Sequence, residues 1–251
     1  MNTRYENQPS ASAANADTRA RRTAGIAIAV SAITSTVFVA LDQSARGRDA
    51  LSILQSMVAI QPMHQFVHVV AITCLTGLMF GYTVLSRSLG LHRTPVLLAL
   101  ISYAAGTGLM LLAAVIDGFV STDTAVMFVG AKPEVLQTGY WIINTLSGVM
   151  LPDLARVAWV FQSVAALAWS WALLQESGLS RRIGVVGLLA GGLPAVIVSV
   201  VGTAMTDTVV VGILLAQGVW NLAAALWLLL KRDSTEARVS NARPALATQS
   251  G

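Results

Sequence analysis

The chain alternates between long uncharged stretches and short connections that carry charge. Six stretches contain no Asp, Glu, Lys or Arg: residues 23–41, 50–86, 94–116, 157–175, 183–206 and 208–230. A helix that crosses the roughly 30 Å of hydrocarbon in a bilayer needs about 20 mainly apolar residues. The pattern therefore predicts an all-α protein, a polytopic transmembrane bundle of six spans in contact with the lipid bilayer.

The predicted spans divide the chain into one membrane domain and two polar tails. Residues 1–22 and 232–251 are polar and predict disordered cytoplasmic tails. Residues 23–231 form the transmembrane domain. Within it we place the spans at residues 24–41, 63–86, 94–120, 152–176, 182–204 and 208–230.

Basic residues predict the orientation of the bundle. In a six-span chain, four basic groups fall on one side of the membrane, and positive charge marks the cytoplasmic side. Both termini are therefore expected in the cytoplasm. The groups are Arg19, Arg21 and Arg22; Arg87, His92 and Arg93; Arg181 and Arg182; and Lys231 and Arg232.

Two connections on the opposite side are long enough to hold structure. Residues 50–60 and 134–150 carry apolar residues at helical spacing, which predicts one or two helices on the extracytoplasmic surface. The alternative for residues 135–151 is that they dip into the membrane. In either arrangement these segments cover the outer end of the bundle.

Composition supports this class and excludes others. Hydrophobic residues make up 55% of the chain and charged residues 11%, whereas soluble domains carry about 25% charged residues. The net charge of +4 is small and spread out, so nucleic-acid binding is not expected. The single cysteine, Cys74, excludes an internal disulfide.

Three ionisable residues are expected at one depth near the outer surface. His64 and His68 are one helical turn apart in span two, so their side chains share a face. Asp117 lies about one turn inside the outer end of span three, the antiparallel neighbour. A carboxylate at membrane depth is costly unless it finds a partner. The three residues therefore predict either a site for a divalent metal ion or proton, or a structural hydrogen-bonded group.

A second set of polar residues is expected near the same level. Asp153 and Arg156 are three residues apart at the start of span four, and this spacing predicts that they pair with each other. Arg156 is alternatively placed to neutralise Asp117 or to bind an anion. Tyr140 and Asn144, on the preceding surface helix, are candidates to overhang the site.

Other polar and small residues within the spans predict packing. Gln162, Gln217 and Asn221 lie deep in spans four and six, where interhelical hydrogen bonds are the expected role and a transport path is the alternative. Two Gly-xxx-Gly pairs predict positions where helices approach closely. These pairs are Gly77 with Gly81 and Gly187 with Gly191.

Spans two and three resemble segments of uncharacterised bacterial inner-membrane proteins. The resemblance is carried by residues 66–72, by Gly81-Tyr82 with residues 86–90, and by residues 114–120. It implies a multi-pass protein of the bacterial inner membrane. It implies no activity.

Three functions are compatible with these features. The first is a carrier or a membrane protein that binds a small ligand, cation or proton from the extracytoplasmic side. It would use Asp117 and His68, with Arg156 and Asp153 at the mouth of the site. The second is a membrane-embedded enzyme in which His64, His68 and Asp117 hold a divalent metal ion as cofactor. The third is a structural subunit, whose oligomeric or membrane-complex partners supply the chemistry.

Overall fold

A computed structural model of the protein describes residues 11–201 and 206–231, and these residues are helical apart from short connections. Two π-helical segments, Ile116–Ser121 and Asn144–Met150, interrupt the α-helices. No strand occurs in the described ranges. The α-helices are α1 (Ala11–Leu41), α2 (Ala50–Leu89), α3 (Thr94–Val115), α4 (Thr122–Phe128), α5 (Pro133–Ile143), α6 (Leu151–Leu174), α7 (Leu179–Val201) and α8 (Asp207–Leu230).

Six helical segments are long and apolar enough to cross a membrane, which confirms the predicted class. Many of their large apolar side chains are exposed on the outside of the bundle, such as Ile101, Leu189 and Val200 at 60%, 73% and 80%. A soluble monomer rarely exposes so continuous an apolar surface. The segments are Asn15–Leu41, Ala50–Leu89, Thr94–Phe128, Pro133–Leu174, Leu179–Val200 and Thr208–Leu230.

The polar tails are described only in part. The described part of helix α1 includes residues 11–22, so this part of the predicted N-terminal tail is helical. This part is rich in alanine, the strongest helix former, and Asp17 pairs with Arg21 one turn later. Residues 1–10 and 232–251, and the end of the predicted fifth span at 202–204, lie outside the described residues.

Three of the membrane-crossing segments are longer than a bilayer requires. Helix α2 has 40 residues and is therefore about 60 Å long. The predicted surface segments are both helical, and they continue the long helices rather than standing apart from them. Their apolar faces meet in a small core of Leu54, Met57, Ala125 and Ile143, which makes a cap at one end of the bundle.

Close helix packing at glycine fixes the arrangement of neighbouring spans. A Cβ atom at Gly77 or Gly81 would overlap Ser31 or Ile28 of α1. Gly187 and Gly191 of α7 similarly approach α6, at Ser170 and Ala166 respectively. The predicted close-packing role of both glycine pairs is confirmed.

The end of the bundle opposite the cap carries basic residues, and we call it the basic end. Arg93 donates to the Ala172 carbonyl at 3.1 Å and to Gln175 at 2.6 Å. Lys231, at the end of α8, donates to the Ser88 carbonyl at 3.1 Å. The connections α2–α3 and α6–α7 and the end of α8 therefore share this end of the molecule.

Candidate metal centre

Two histidines on α2 lie where the cap meets the bundle. His64 and His68 occupy successive turns, their ring centroids are 4.4 Å apart, and each residue is only 8% exposed. The helix continues through Pro62, just before the first histidine. Because residues four apart share a helix face, both rings point toward the same neighbouring helix.

Asp117 reaches the histidines from a π-helical turn. It is the second residue of the segment Ile116–Ser121, which follows α3 without a break. The next residue, Gly118, lies against His68 so closely that a Cβ atom there would overlap the histidine side chain. Glycine thus permits the close approach of the two helices that places Asp117 beside the rings.

The two imidazoles share one carboxylate oxygen. The Nε2 atom of His68 lies 3.3 Å from Asp117 Oδ2, and the Nε2 atom of His64 lies 3.8 Å from the same oxygen. On the other side of the rings, His64 Nδ1 is 2.8 Å from Asp42 Oδ1 and His68 Nδ1 is 2.9 Å from the His64 carbonyl oxygen. Both Nδ1 atoms therefore face acceptors, while both Nε2 atoms converge.

In neutral imidazoles, this hydrogen-bond pattern favours the tautomer that binds metal ions. In a neutral imidazole one nitrogen carries the proton and the other carries the lone pair. A proton on Nδ1, donated to Asp42 or to the backbone carbonyl, leaves the lone pair on Nε2. Metal-bound histidines usually donate their other N–H to a carboxylate or carbonyl in this way. Two imidazole nitrogens and one carboxylate are a ligand set found in metal sites that keep an open coordination position.

Asp42 is held by the connection between α1 and α2. It follows the last residue of α1, and its side chain is 27% exposed. Residues 46–49 are joined to the start of α2, where Asp49 Oδ1 accepts a 2.8 Å hydrogen bond from the Ser52 N–H. This hydrogen bond holds the pKa of Asp49 below its usual value. The fixed connection brings Asp42 to His64.

A second π-helical segment adds a hydroxyl to the site. Ser147 lies in the segment Asn144–Met150 that joins α5 to α6. Its Oγ lies 3.4 Å from Asp117 Oδ1, to which it donates, and 2.7 Å from the hydroxyl of Ser121. π-Helical turns are rare and often mark functional sites. Here one of them carries the Asp117 carboxylate, and the other carries the hydroxyl that donates to it.

A cavity of about 450 Å³ adjoins the histidine site and lies among all six spans. His68 forms part of its wall, whereas Asp42, His64 and Asp117 are not among the residues that line it. Most of the wall is apolar. The wall also includes Cys74, Tyr103, Trp159, Gln162, Gly218 and Trp220.

The deep polar residues mostly satisfy one another. Gln217 donates to Gln162 Oε1 at 2.7 Å, and Tyr82 donates to Asn221 Oδ1 at 2.6 Å. The predicted interhelical hydrogen bonds are thereby confirmed. Trp159 differs, since its buried indole N–H has no hydrogen-bond partner among the described residues.

Four other residues were predicted for the site: Asp153, Arg156, Tyr140 and Asn144. Arg156 donates to Asp153 Oδ1 at 2.9 Å, which confirms the predicted pair, and the Asp153 side chain is 64% exposed. Tyr140 contacts the ring of its neighbour Trp141. Asn144 is exposed at the start of the second π-helical segment. The structure shows contacts of Asp117 with His64, His68 and Ser147, and a role for the other four residues stays a prediction.

Two residues of the site were not among the predicted ligands. Asp42 directly follows the uncharged stretch of span one. It therefore lies at the same end of the bundle as the start of span two, and the sequence does contain this signal. Ser147 is predicted on one side of the helix at 134–150 together with Tyr140, but its contact with Asp117 depends on how that helix faces the rest of the bundle. One ligand atom each from Asp42, His64, His68 and Asp117 lies within 4.8 Å of the others.

Asp42, His64, His68 and Asp117 come from three parts of the chain: the α1–α2 connection, α2, and the π-helical turn after α3. Comparison of the chain with family models, with curated proteins and with solved structures finds no match.

Proposed function

We propose that this multi-pass membrane protein binds a divalent transition-metal ion between His64, His68 and Asp117, and that the ion acts as a Lewis acid toward a ligand that enters from the cavity. The observation that carries the proposal is the orientation of the two rings. Each Nδ1 faces an oxygen, and both Nε2 atoms approach Asp117 Oδ2, at 3.3 and 3.8 Å.

Charge balance supports a divalent ion. With neutral histidines, Asp42 and Asp117 bring two negative charges to a site where both side chains are about three-quarters buried. Uncompensated charge at such a depth is costly. A divalent cation neutralises both carboxylates, and imidazole with carboxylate ligands suits zinc, iron or manganese.

The number of ligands favours an enzyme over a purely structural metal site. Structural zinc sites are usually closed by four protein ligands, whereas catalytic sites use three and leave a position for water or substrate. Asp42 is engaged by His64 Nδ1 and acts as the orienting partner. A bound ion would then keep an open position, at which it lowers the pKa of water or polarises a carbonyl.

We further propose that the metal site lies on the side of the membrane away from the cytoplasm. Because basic residues mark the cytoplasmic side, the basic end would face the cytoplasm and the metal site would face away from it. The resemblance of spans two and three to bacterial inner-membrane proteins supports the bacterial inner membrane as the location in this proposal.

Metal analysis of the purified protein tests the proposal. The chain is produced with an affinity tag that lacks histidine, reconstituted in lipid nanodiscs, and titrated with Zn²⁺ and with Co²⁺ as a spectroscopic probe. We expect one ion per chain in the wild type and in His92→Ala. The variants His64→Ala, His68→Ala and Asp117→Ala should lose about 100-fold or more in affinity.

His92 is the matched control because it is the third histidine of the sequence and is exposed at the basic end. Equal metal binding by all four variants and the wild type would contradict the proposal. So would the absence of measurable binding in the wild type.

The second candidate function is a carrier that binds protons. It is favoured by the same carboxylates and imidazoles. Asp42, His64, Asp117 and His68 alternate carboxylates with imidazoles, with the closest contacts at 2.8 and 3.3 Å. Such a chain can hold and pass protons without a metal ion. ¹⁵N NMR of the imidazoles in metal-free protein tests this: a histidine that titrates in the wild type should titrate differently in Asp117→Asn. Identical titrations would contradict it.

A further inference from the structure

The cavity beside the metal site has the features of a binding site for an apolar chain. Its volume of about 450 Å³ falls in the range of small-molecule sites, roughly 300–1,000 Å³. His68 lies in its wall at one end, and Trp220 and Tyr103 lie in the wall nearer the basic end. A ligand in this cavity would therefore have one end beside His68 and the other among the spans.

We infer that the protein binds a long-chain acyl group, with the acyl oxygen at the metal ion and the hydrocarbon chain in the cavity. This inference rests on the proposed metal site. The acyl group can come from a free long-chain carboxylate or from an ester or amide lipid, because both present a carbonyl oxygen on an apolar chain. The surrounding bilayer is a source of such molecules.

The polar residues in the wall favour an apolar occupant over a hydrated ion path. Gln162 and Gln217 bond to each other and Asn221 accepts from Tyr82. These amides are partly satisfied by protein partners, and the rest of the wall is mainly aliphatic and aromatic. Ions moving through a cavity need polar groups or water to replace their hydration shell.

Trp159 adds a specific donor. The residue is 5% exposed and lies in the wall, and its indole N–H has no acceptor within the described part of the chain. A buried donor without a partner costs about 1–3 kcal/mol. An oxygen atom of a ligand in this part of the cavity would satisfy it.

An ester lipid at this site would be positioned for hydrolysis. The oxygen of metal-bound water forms a bond to the carbonyl carbon, the carbon–oxygen bond to the alcohol breaks, and a proton from the water moves to the leaving alcohol oxygen. The products are the fatty acid and the alcohol, and water is the only co-reactant. A free fatty acid would instead bind without reaction.

Two glycines of α8 provide a matched pair of variants. Gly218 lies in the cavity wall, and a Cβ atom there meets no atom within 4 Å. Gly212 has the same open surroundings, but it is outside the cavity wall. Gly218→Leu therefore fills the cavity without a clash at the Cβ position, and Gly212→Leu adds the same side chain elsewhere on the helix.

The experiment follows the absorption spectrum of the Co²⁺-loaded protein in nanodiscs during titration with palmitate or acetate. Both carboxylates can reach the metal, but only palmitate carries a chain. We expect Gly218→Leu to weaken the palmitate response about tenfold or more and to leave the acetate response and Co²⁺ loading unchanged. Gly212→Leu should match the wild type in all three measurements. Leu214→Trp, a second substitution in the wall, should act like Gly218→Leu.

A parallel arm distinguishes the two sources of the acyl group. The Zn²⁺-loaded protein is incubated with monopalmitoylglycerol, and release of palmitate is measured. If palmitate is released, and the Gly218→Leu variant releases less of it, the substrate is an ester lipid. If palmitate changes the Co²⁺ spectrum but no palmitate is released from the ester, the ligand is the free acid. Both results support the acyl site.

The proposed function and this inference fail in different ways. The acyl site alone would be overturned by three results together. Co²⁺ loading would be normal, Gly218→Leu and Leu214→Trp would leave the palmitate and acetate responses unchanged, and no palmitate would be released. Failure of the wild type to bind Co²⁺ or Zn²⁺ would overturn both proposals.

Discussion

At the scale of single residues, Gly118 sets the distance between Asp117 and His68. An added Cβ atom would overlap the histidine side chain, so Gly118→Ala should push the two helices apart and displace the ligands. We expect the affinity for Co²⁺ to fall about tenfold or more, measured by titration. Gly108→Ala on α3 is the control, because a Cβ atom there meets nothing within 4 Å. Equal effects of the two substitutions would contradict this account.

Asp42 offers a test of how the histidine is oriented. Removing its charge while keeping its shape, in Asp42→Asn, should lower metal affinity about 10–100-fold, the usual effect of losing an orienting partner. Asp123→Asn is the matched control, since this nearby carboxylate accepts hydrogen bonds from Gln61 and Gln65 instead. If Asp42→Asn binds metal as weakly as Asp117→Ala, Asp42 is itself a metal ligand. If its metal affinity is unchanged, Asp42 is neither a ligand nor an orienting partner.

The core of the site was predictable from sequence because it depends on depth in the membrane and on the order of neighbouring spans. His64, His68 and Asp117 follow from the number of residues between each side chain and the end of its span, together with the antiparallel order of spans two and three. The structure brings the three together. Ser147 and the unpartnered indole of Trp159 were not predictable, because they depend on how helices far apart in the sequence face one another.

At the scale of elements, the N-terminus of α2 should respond to acid. The pKa of Asp49 is lowered because its carboxylate accepts the Ser52 N–H. The stabilisation is therefore present above the unfolded pKa, about 3.9, and is lost as the pH falls through the lower folded value. Protection factors from hydrogen exchange, corrected for the intrinsic rate, should fall at residues 51–53 between pH 5 and about 3.

Asp49→Asn separates charge from capping. Asparagine caps helices about as well as aspartate, but it does not titrate. Protection of the first turn should therefore lose this dependence on pH and otherwise persist. A variant with the same acid response as the wild type would show that another group is responsible.

The two π-helical segments limit what periodicity can predict. Apolar spacing identifies helices by their faces, and a π-helical turn moves the following residues onto a different face. Ser147, inside the second of these segments, contacts Asp117, and the expected position of Tyr140 and Asn144 above the site stays a prediction. The long extensions of α2 and α6 were predicted as helices but not as continuations of the spans.

At the scale of the whole molecule, six spans were predictable because lipid imposes a length and an absence of charge that few soluble helices show. The relative positions of those spans were not, since most spans present similar apolar surfaces. Glycines at close approaches, such as Gly81 against Ile28, are the local signals that determine which helices are neighbours. The cavity results from this packing, and no single stretch of the sequence indicates it.

Orientation in the membrane is the last prediction and can be tested with single cysteines. In a Cys74→Ser background, which removes the natural cysteine, His92→Cys and Glu134→Cys place an exposed thiol at opposite ends of the bundle. The positive charge of the basic end predicts that it faces the cytoplasm. A membrane-impermeant maleimide added to intact spheroplasts should therefore label Glu134→Cys alone, and both variants should react once the membrane is opened. The reverse pattern would place the metal site on the cytoplasmic side, and labelling of both in intact cells would contradict a six-span arrangement.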